Sequence, residues 1–506
     1  MDSCIIEHMF DASLAQPEEL GAADDGALIA TIAGWARVEA AAAAHRLAAI
    51  SELAARRISG DGFDRSRWTC DNWDAAAAEV AAAEHISHRM ASSQMYLAGA
   101  LRHRIPQVAA LLRSGRISAR LASAIAWHTT LITDPGVLTL VDGELADIAT
   151  TLGPLSVTKA AEAIDALIER HDPAAVRRLR DQARGRELVI DTTHTEAGTT
   201  GLWGRLFAVD AAALDQRLMQ LAHSVCDDDP RTLAQRRADA LGALAAGAET
   251  LACACGHPDC PAATGTDARA ANVVVHVLAE PATADAAPDP QLSGEPEPAP
   301  SRPSPAPAQS RPPSARIVGG GSVPSGLLAQ LIASGATVTK LRPPAELTTE
   351  TGYRPSSALA AFVRARDMTC RFPGCDRPAT ACDIDHAVPH PWGPTHPGNL
   401  RCLCRKHHLL KTFWIGPGGW SDRQHPDGSI DWTSPTGHTY TTRPASRLLF
   451  PGLSLPTATP PATTPPVGHQ RDLMMPTRRT TRAQDRLRCI NTERALNLAQ
   501  RERPPP

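Results

Sequence analysis

The sequence predicts an α+β protein with a mostly helical N-terminal region, a small mixed region in the middle and a cysteine-rich C-terminal domain. Three observations support this prediction: alanine-rich amphipathic segments up to residue 186, apolar runs of strand type after residue 187, and paired Cys and His residues within 364–415. The length of 506 residues allows three or four domains. With 43% apolar and 21% charged residues, a wholly disordered chain is excluded.

The N-terminal segment 20–186 is predicted to be a helical domain. Residues 27–60 favour one long amphipathic helix, because Ala and Leu dominate, charged residues fall on one face and Gly60 closes the segment. Four prolines that are expected to mark later helix starts are Pro106, Pro135, Pro154 and Pro173. We find no catalytic pattern in this segment.

The middle region is predicted to span 187–280 and 316–345, with a β-hairpin near its start. Residues 281–315 are rich in Pro, Ala and Ser with few large apolar side chains, which predicts a disordered insertion between strands of one sheet. The tail, 451–506, is rich in Pro and Arg and is also predicted to be disordered, apart from a short helix near 481–500.

Charge and leader signals bear on partners and location. Residues 364–450 carry 11 Lys and Arg against 7 Asp, a net +4, and the tail carries 9 Arg against 4 acidic residues, a net +5, on a chain whose overall charge is −3. A basic C-terminal third favours a polyanion partner such as nucleic acid, although a solvated face is the simpler alternative. Since neither a signal peptide nor an uninterrupted apolar span is evident, we expect a cytoplasmic protein without a membrane partner.

Twelve cysteines in a reducing compartment are expected to be metal ligands before they are disulfides. Cys253, Cys255, His257 and Cys260 lie within eight residues and could hold zinc. The spacing is tight, because side chains two residues apart must converge through a turn. A surface loop with free thiols is the alternative.

A second set of four ligands predicts a structural zinc site in the C-terminal domain. Cys370 and Cys375 enclose a Pro-Gly turn, which folds the chain back on itself. Cys404 and His407 are three residues apart at the start of a predicted helix and so share a face. Together they form a tetrahedral Cys₃His set. Cys402 in place of Cys404 is the main alternative.

Next to these ligands lies a set of residues that suits a divalent cation such as Mg²⁺ or Mn²⁺. His408 follows His407, but one helical step rotates by about 100°, so the two rings face different sites. Asp385 and His386 follow Ile384 on a short strand, and an Asn before a helix is a typical N-cap, the role expected of Asn399. Asp383 lies on the same strand face as Asp385 and remains a competing ligand.

These residues resemble the HNH nuclease motif, which has a ββα-metal fold. The match rests on Asp385-His386, Asn399 and His408, framed by the two Cys and His pairs. The wider pattern, Cys-Arg-Phe-Pro-Gly-Cys followed by Gly-Pro-Thr-His-Pro-Gly-Asn-Leu and Cys-Arg-Lys-His-His-Leu-Leu-Lys-Thr, resembles an actinobacterial repeat family. In that family a helical domain of unknown function precedes a C-terminal HNH domain. The stretch Arg236-Arg237-Ala-Asp239 resembles it more weakly.

The resemblance implies a zinc-stabilised HNH domain over 354–450 that hydrolyses phosphodiester bonds in DNA, most simply double-stranded DNA. His386 would be the general base, Asp385 and His408 would hold the catalytic divalent ion, and Asn399 would orient the loop that bears His386 or bind the ion. Asp385 is preferred over Asp383 because the motif places the acid directly before the histidine. The residues implied as phosphate contacts are Arg401, Lys406 and Lys411. A non-cleaving, zinc-containing nucleic-acid-binding module and a helical interaction scaffold are the alternatives.

Overall fold

The computed structural model describes residues 16–59, 65–176, 187–196, 199–262, 277–287, 315–318, 321–333, 336–457 and 474–501. Most of the predicted insertion at 281–315 lies outside these residues, as does a central part of the predicted tail at 451–506.

The N-terminal part is helical, as predicted. Its α-helices are α1 (Asp25–Ser59), α2 (Asn72–Glu84), α3 (His88–His103), α4 (Pro106–Arg113), α5 (Ala119–His128), α6 (Pro135–Leu152) and α7 (Val157–His171). Pro106 and Pro135 occupy the first positions of α4 and α6, where a missing backbone N–H costs nothing. Helix α1 packs against α2, α3 and α4. Buried leucine, isoleucine and alanine side chains from all seven helices form one core.

Helix α1 is apolar as well as long. Over Asp25–Ile58 its length and composition would suffice to cross a membrane. The expectation of no such segment considered uninterrupted apolar runs, whereas the many alanines of α1 raise its average hydropathy. Only 11% of the most apolar window of α1 is buried: Leu47 and Ile50 lie in the helical core, whereas Ile29 and Ile32 are exposed.

The middle region contains a hairpin, a helix pair and a small sheet. Strands β1 (Glu187–Glu196) and β2 (Thr199–Arg205) pair antiparallel, and α8 (Ala208–Ala222) packs against α9 (Leu233–Ala245). Strand β3 (Val277–Leu278) is followed by α10 (Pro281–Ala284), β4 (Ala315–Ile317), β5 (Ser322–Val323) and α11 (Ser325–Ala333). Because β3 pairs directly with β4, the proline-rich segment between them joins neighbouring strands of one antiparallel sheet.

The C-terminal region is built around a hairpin followed by a helix. Helix α12 (Ser357–Asp367) precedes β6 (Cys382–His386) and β7 (Leu400–Cys404), which pair antiparallel and lead into α13 (Arg405–Phe413). A three-stranded meander follows, and its elements, with the last short helix, are β8 (Ser421–Gln424), β9 (Ile430–Thr433), β10 (Thr439–Thr442) and α14 (Ser446–Leu449).

The helical and C-terminal regions share a core, although the sequence suggests two separate domains. Ala78 and Ala82 of α2 pack in the same apolar cluster as Phe362, Leu400 and Trp414. On this face α2 carries alanines, whose small side chains allow the backbone of the C-terminal region to approach closely. The region that carries the candidate site is therefore packed directly against the helical region.

The short helix predicted near 481–500 is present in the tail, and it is longer than expected and docked. Arg482–Arg501 forms a 20-residue helix, α15, which packs on the helical region. Its guanidinium groups pair with carboxylates there: Arg482 lies 2.8 Å from Asp74, and Arg494 lies 2.6 Å from Asp172. The docking of this helix was not predicted, because the carboxylates that hold α15 lie some 300 to 400 positions away in the sequence.

Candidate metal centres and active site

The four ligands predicted for the C-terminal zinc site come together. One ligand atom from each of Cys370, Cys375, Cys404 and His407 lies within 4.8 Å of all the others. The Nδ1 atom of His407 lies 3.5 Å from the Cys370 sulfur and 3.3 Å from the Cys404 sulfur. Sulfur atoms at 2.3 Å and a nitrogen at about 2.0 Å from one tetrahedral zinc would be separated by about 3.5 Å. The donor set and its spacing fit a structural zinc ion.

A tight turn brings the first two sulfurs together. Gly374 has a φ of +72°, and a Cβ at this position would lie 2.5 Å from the carbonyl oxygen of Ile86. Glycine is therefore required by both backbone conformation and space. On the other side, Phe372 stacks on the His407 ring at 4.1 Å between centroids and fixes its orientation.

Neighbouring cysteines do not belong to this cluster. Cys402, the alternative ligand, is fully buried, and its sulfur faces the carbonyl oxygen of Val363. It is two residues from Cys404 on β7, yet lies outside the ligand group.

Hydrogen bonds from Cys370 and Cys375, then from His407, hold the pKa of Cys404 below its ordinary value, so its thiolate is the favoured form for metal binding.

The middle region also assembles four cysteines, but the set differs from the prediction. The cluster consists of Cys226, Cys253, Cys255 and Cys260. His257 is not part of it, because its exposed ring points to Asp228 at 3.6 Å. Cys226 replaces it and lies 3.4 Å from the sulfur of Cys253. Since Cys226 is 27 residues upstream, no local spacing signals it. A Cys₄ set of this kind fits a second structural zinc.

The Arg236 motif braces this cysteine cluster. The fully buried carboxylate of Asp229 accepts hydrogen bonds from Arg231 and from the backbone N–H of Ala254, between two of the cysteines. Arg236 in turn donates to the carbonyl oxygens of Arg231 and Asp229. The arginine-rich motif is thus structural: it links α9 to the loops that carry the sulfurs.

Three of the residues considered for the divalent-ion site come together, namely Asp383 and Asp385 of β6 and His408 of α13. His408 lies between two carboxylates of β6. Its Nδ1 atom is 2.8 Å from Asp383 Oδ2, and its Nε2 atom is 3.5 Å from Asp385 Oδ1. A metal-binding histidine typically donates its second N–H to a carboxylate. The arrangement therefore suits Asp383 as the group that orients His408, with Asp385 and His408 Nε2 left to face one ion.

Only one oxygen of Asp385 is available to an ion. Its Oδ2 atom accepts from Lys411 at 2.7 Å and lies 3.3 Å from Arg401 Nε. Burial acts to raise the pKa of Asp385, but Lys411, Arg401 and His408 outweigh it and hold this pKa below its usual range. The other oxygen, Asp385 Oδ1, lies 3.5 Å from His408 Nε2, so these two atoms could face one divalent ion.

His386 closes β6 and is held by a partner that the sequence did not single out. Its Nε2 atom lies 2.9 Å from Thr395 Oγ1. The Thr395 hydroxyl donates its only proton to the carbonyl oxygen of Gly352 at 2.6 Å, so it accepts from His386. The network thus assigns the Nε2–H tautomer and leaves Nδ1 as the proton acceptor.

The surroundings of His386 keep its ring neutral. Its exposed fraction is 5%, and the ring of Tyr353 stacks over it at 5.3 Å between centroids. Burial lowers the pKa of His386 to about 4, with Asp385 acting in the opposite direction. An imidazole with this pKa is unprotonated at neutral pH, as a general base must be, but it is a weaker base than an ordinary histidine.

Asn399 does not cap a helix, contrary to one of its predicted roles. It ends a 3₁₀ turn, Pro397–Asn399, and strand β7 separates it from α13. Its side chain instead bonds the loop that follows His386: Oδ1 accepts from the Val388 N–H at 2.8 Å, and Nδ2 donates to the carbonyl oxygens of Val388 and Pro394 at 2.9 Å. This contact is the second predicted role, orientation of the loop that bears His386.

The three predicted phosphate contacts are engaged elsewhere. Arg401 is fully buried and pairs with Asp385 and with Asp422, at 2.6 Å. Lys411 is buried against Asp385, and Lys406 reaches Asp74 of α2 at 2.8 Å. The hairpin turns Arg401 and Lys411 inward, whereas the side chain of Lys406 stays 41% exposed beside α2.

Comparisons with known proteins found a matching family model and several relatives. A family model described as "Domain of unknown function (DUF222)" matches residues 35–367, which ends just before the first C-terminal cysteine ligand. The chain is 58% identical over 500 residues to "Uncharacterized protein Rv3776" of Mycobacterium tuberculosis (strain ATCC 25618 / H37Rv), covering 98% of this chain and 95% of the relative. It is 56% identical over 521 residues to "Uncharacterized protein Rv2100" of the same strain, covering 99% and 93%. No solved structure matches.

Proposed function

This chain belongs to the DUF222 family, and we propose that its C-terminal region is a metal-dependent HNH-type endonuclease that hydrolyses phosphodiester bonds in DNA. Double-stranded DNA in the cytoplasm is the proposed substrate. The observation that carries the proposal is the distance of 3.5 Å between Asp385 Oδ1 and His408 Nε2. His386, the proposed base, directly follows Asp385 in the sequence. One carboxylate, one imidazole that can bind an ion and one neutral imidazole are the groups that phosphodiester hydrolysis needs.

Each residue has a defined task in this proposal. His386 Nδ1 accepts a proton from the water that attacks phosphorus, while Thr395 holds the ring through Nε2. Asp383 fixes His408 through Nδ1, and Lys411 holds the second oxygen of Asp385. Asn399 holds the loop after His386. A Mg²⁺ or Mn²⁺ ion bound by Asp385 and His408 would supply positive charge opposite the developing charge on the phosphate.

The cysteine cluster has a structural task in this proposal. Zinc bound at Cys370, Cys375, Cys404 and His407 would fix the start of α13 to the turn before β6. His407 and His408 are adjacent, so holding His407 also fixes the direction in which His408 points. The separation of a structural face and a reactive face follows from the rotation between consecutive helical residues.

One observation favours the alternative of a non-cleaving nucleic-acid-binding module. His386 is 5% exposed beneath Tyr353, so the base reaches water only if the segment that carries Tyr353 moves. A module that had lost cleavage would tolerate such a covered histidine.

A nicking assay tests the proposal. Supercoiled plasmid is incubated with the full chain and Mg²⁺, Mn²⁺ or EDTA, and the rate of conversion to nicked and linear forms is measured. We expect cleavage with a divalent ion, none with EDTA, and a loss of about 10²- to 10⁴-fold for His386→Ala. His438→Ala, which changes a histidine of the β9–β10 loop, is the matched control. Intact plasmid together with a gel shift would establish the binding module instead.

A further inference from the structure

A basic groove lies apart from the candidate active site. It has a volume of about 820 Å³ and runs between the segment at Arg67 and the first turns of α15. Three arginines, Arg67, Arg479 and Arg488, line it together with hydroxyl and amide side chains. Among the described residues that line the groove none is acidic, and Leu487 is the only large apolar one.

Two carboxylates at this junction, Asp71 and Asp74, pair with arginines of the C-terminal segment, and a third, Asp485, accepts a hydrogen bond from Thr480 at 2.6 Å. Asp71 pairs with Arg478 and Arg482, and Asp74 pairs with Arg482 as well. These buried pairs dock α15 and leave no acidic group facing the groove among its described lining residues. The groove walls are also tied to each other, because Arg67 donates a hydrogen bond to the carbonyl oxygen of Arg479 at 2.8 Å.

The arginines that line the groove are not neutralised by strong ion pairs. Arg488 is 3.3 Å from Asp485, but both side chains are largely exposed, so this pair is weak and exchangeable. Arg479 forms no ion pair within the described part of the chain. Three cations beside Gln484 and Asn491 provide the donor types that contact DNA phosphates in protein complexes.

The groove adjoins the C-terminal region. Trp68, the neighbour of Arg67, packs edge-on against Trp414 with ring centroids 5.9 Å apart. Trp414 directly follows α13, the helix that carries His408. A duplex that reached the proposed cleavage site could therefore extend along this side of the molecule.

We propose that this groove binds the sugar–phosphate backbone of a DNA duplex. The bound part of the duplex would lie next to the part that the C-terminal region would cleave. The inference rests on the proposed function for its choice of ligand. It replaces the predicted phosphate contacts at Arg401, Lys406 and Lys411, which the structure shows to be paired within the protein.

Binding of a fluorescein-labelled 30-base-pair duplex to the full chain tests the inference by anisotropy at several salt concentrations. All proteins carry His386→Ala, so the duplex stays intact. Arg479→Gln with Arg488→Gln is expected to weaken binding at least tenfold and to reduce the slope of log Kd against log salt by about 2, since each lost phosphate contact removes about 1. Arg116→Gln with Arg120→Gln removes the same charge from exposed positions of the helical region and is the control.

The outcomes separate this inference from the proposed nuclease. An unchanged Kd, an equal loss in the control, or no duplex binding at all overturns the groove. If groove variants with His386 restored cut plasmid at the wild-type rate while binding is unchanged, the nuclease stands and the groove falls. If the groove variants lose binding but the wild type does not cut with any divalent ion, the groove stands and the nuclease falls.

Discussion

The Nε2 atom of His386 lies 2.9 Å from the hydroxyl oxygen of Thr395, whose proton is committed to Gly352. This contact decides which ring nitrogen carries the hydrogen. A histidine that could present either nitrogen to a substrate water is restricted to one. Thr395 is thus a positioning residue for the proposed base.

Thr395→Val should lower the rate of DNA cleavage by about 10- to 100-fold, which corresponds to the roughly 1–3 kcal/mol cost of leaving the buried Nε2–H of His386 without an acceptor. Valine has a similar shape but cannot accept the Nε2–H, so the ring loses its fixed tautomer. The measurement is the plasmid nicking rate, with kcat and KM determined separately. We expect kcat to fall and KM to change little.

Thr395→Ser is the matched control, because it keeps the hydroxyl oxygen and should retain most of the activity. Equal rates for the valine variant and the wild type would show that Thr395 does not position His386. Zinc content should be the same in all three proteins.

Asp383→Ala should raise the Mn²⁺ concentration needed for half-maximal cleavage by about 10- to 100-fold. Asp383 accepts from Nδ1 of His408 at 2.8 Å, so its loss frees the ring that would bind the ion. Arg405→Ala is the control, since Arg405 contacts the same carboxylate only through a largely exposed pair at 3.4 Å. If the two variants need the same Mn²⁺ concentration, Asp383 has no special role.

Metal analysis should find two zinc ions per chain in the protein. Cys226→Ser is expected to lose one of them, because the structure places this sulfur in the middle cluster. His257→Ala should keep both, because its ring lies outside that cluster. The reverse result would restore the ligand set expected from local spacing.

The C-terminal zinc can be tested in the same way. Cys375→Ser combined with Cys404→Ser should leave one zinc per chain, while Cys489→Ser, an exposed cysteine of α15, should leave two. Loss of this zinc should also abolish cleavage, because the start of α13 would no longer be fixed. A double variant that keeps two zinc ions would contradict the assignment.

Acid should weaken the docking of α15 through Asp74. Burial acts to raise the pKa of Asp74, but Lys406 and Arg482 outweigh it and hold this pKa below the ordinary 3.8. The ion pairs therefore contribute stability at any pH above about 4, and this contribution is lost as the pH falls through the lower pKa of the folded protein. Calorimetric melting between pH 7 and pH 3 should show the decline.

Asp74→Asn isolates that contribution. The variant should be less stable than the wild type at pH 7, by about 1–3 kcal/mol for the lost charged hydrogen bonds. Its melting temperature should fall less steeply than that of the wild type between pH 5 and pH 3. Parallel pH profiles would mean that other carboxylates account for the acid sensitivity.

Local spacing in the sequence was enough to predict the four ligands of the C-terminal cysteine cluster. Cys370 and Cys375 are separated by a Pro-Gly turn, and Cys404 and His407 by three residues at a helix start. Both arrangements bring side chains together through backbone geometry that a few residues determine. The same reasoning placed His408 on a different face from His407.

Where a contact joins distant parts of the chain, residue spacing gave either no prediction or a wrong one. Cys226 enters its cluster through the packing of α8 and α9, and His257, although closer in sequence, points away. Lys411 and Arg401 suggested a phosphate-binding surface, but the register of β6 on β7 places Arg401 opposite Asp385 and turns it inward.

The sequence by itself determined the helical and C-terminal parts, the residue types of the candidate site and the local turns that position the zinc ligands. Tertiary structure alone decided which cations stay exposed, which tautomer His386 adopts and where α15 docks. The physical reason is the separation in sequence between the residues that interact. A turn or one helical step depends on neighbouring residues, whereas a buried ion pair or a second partner for a histidine depends on the path of the whole backbone.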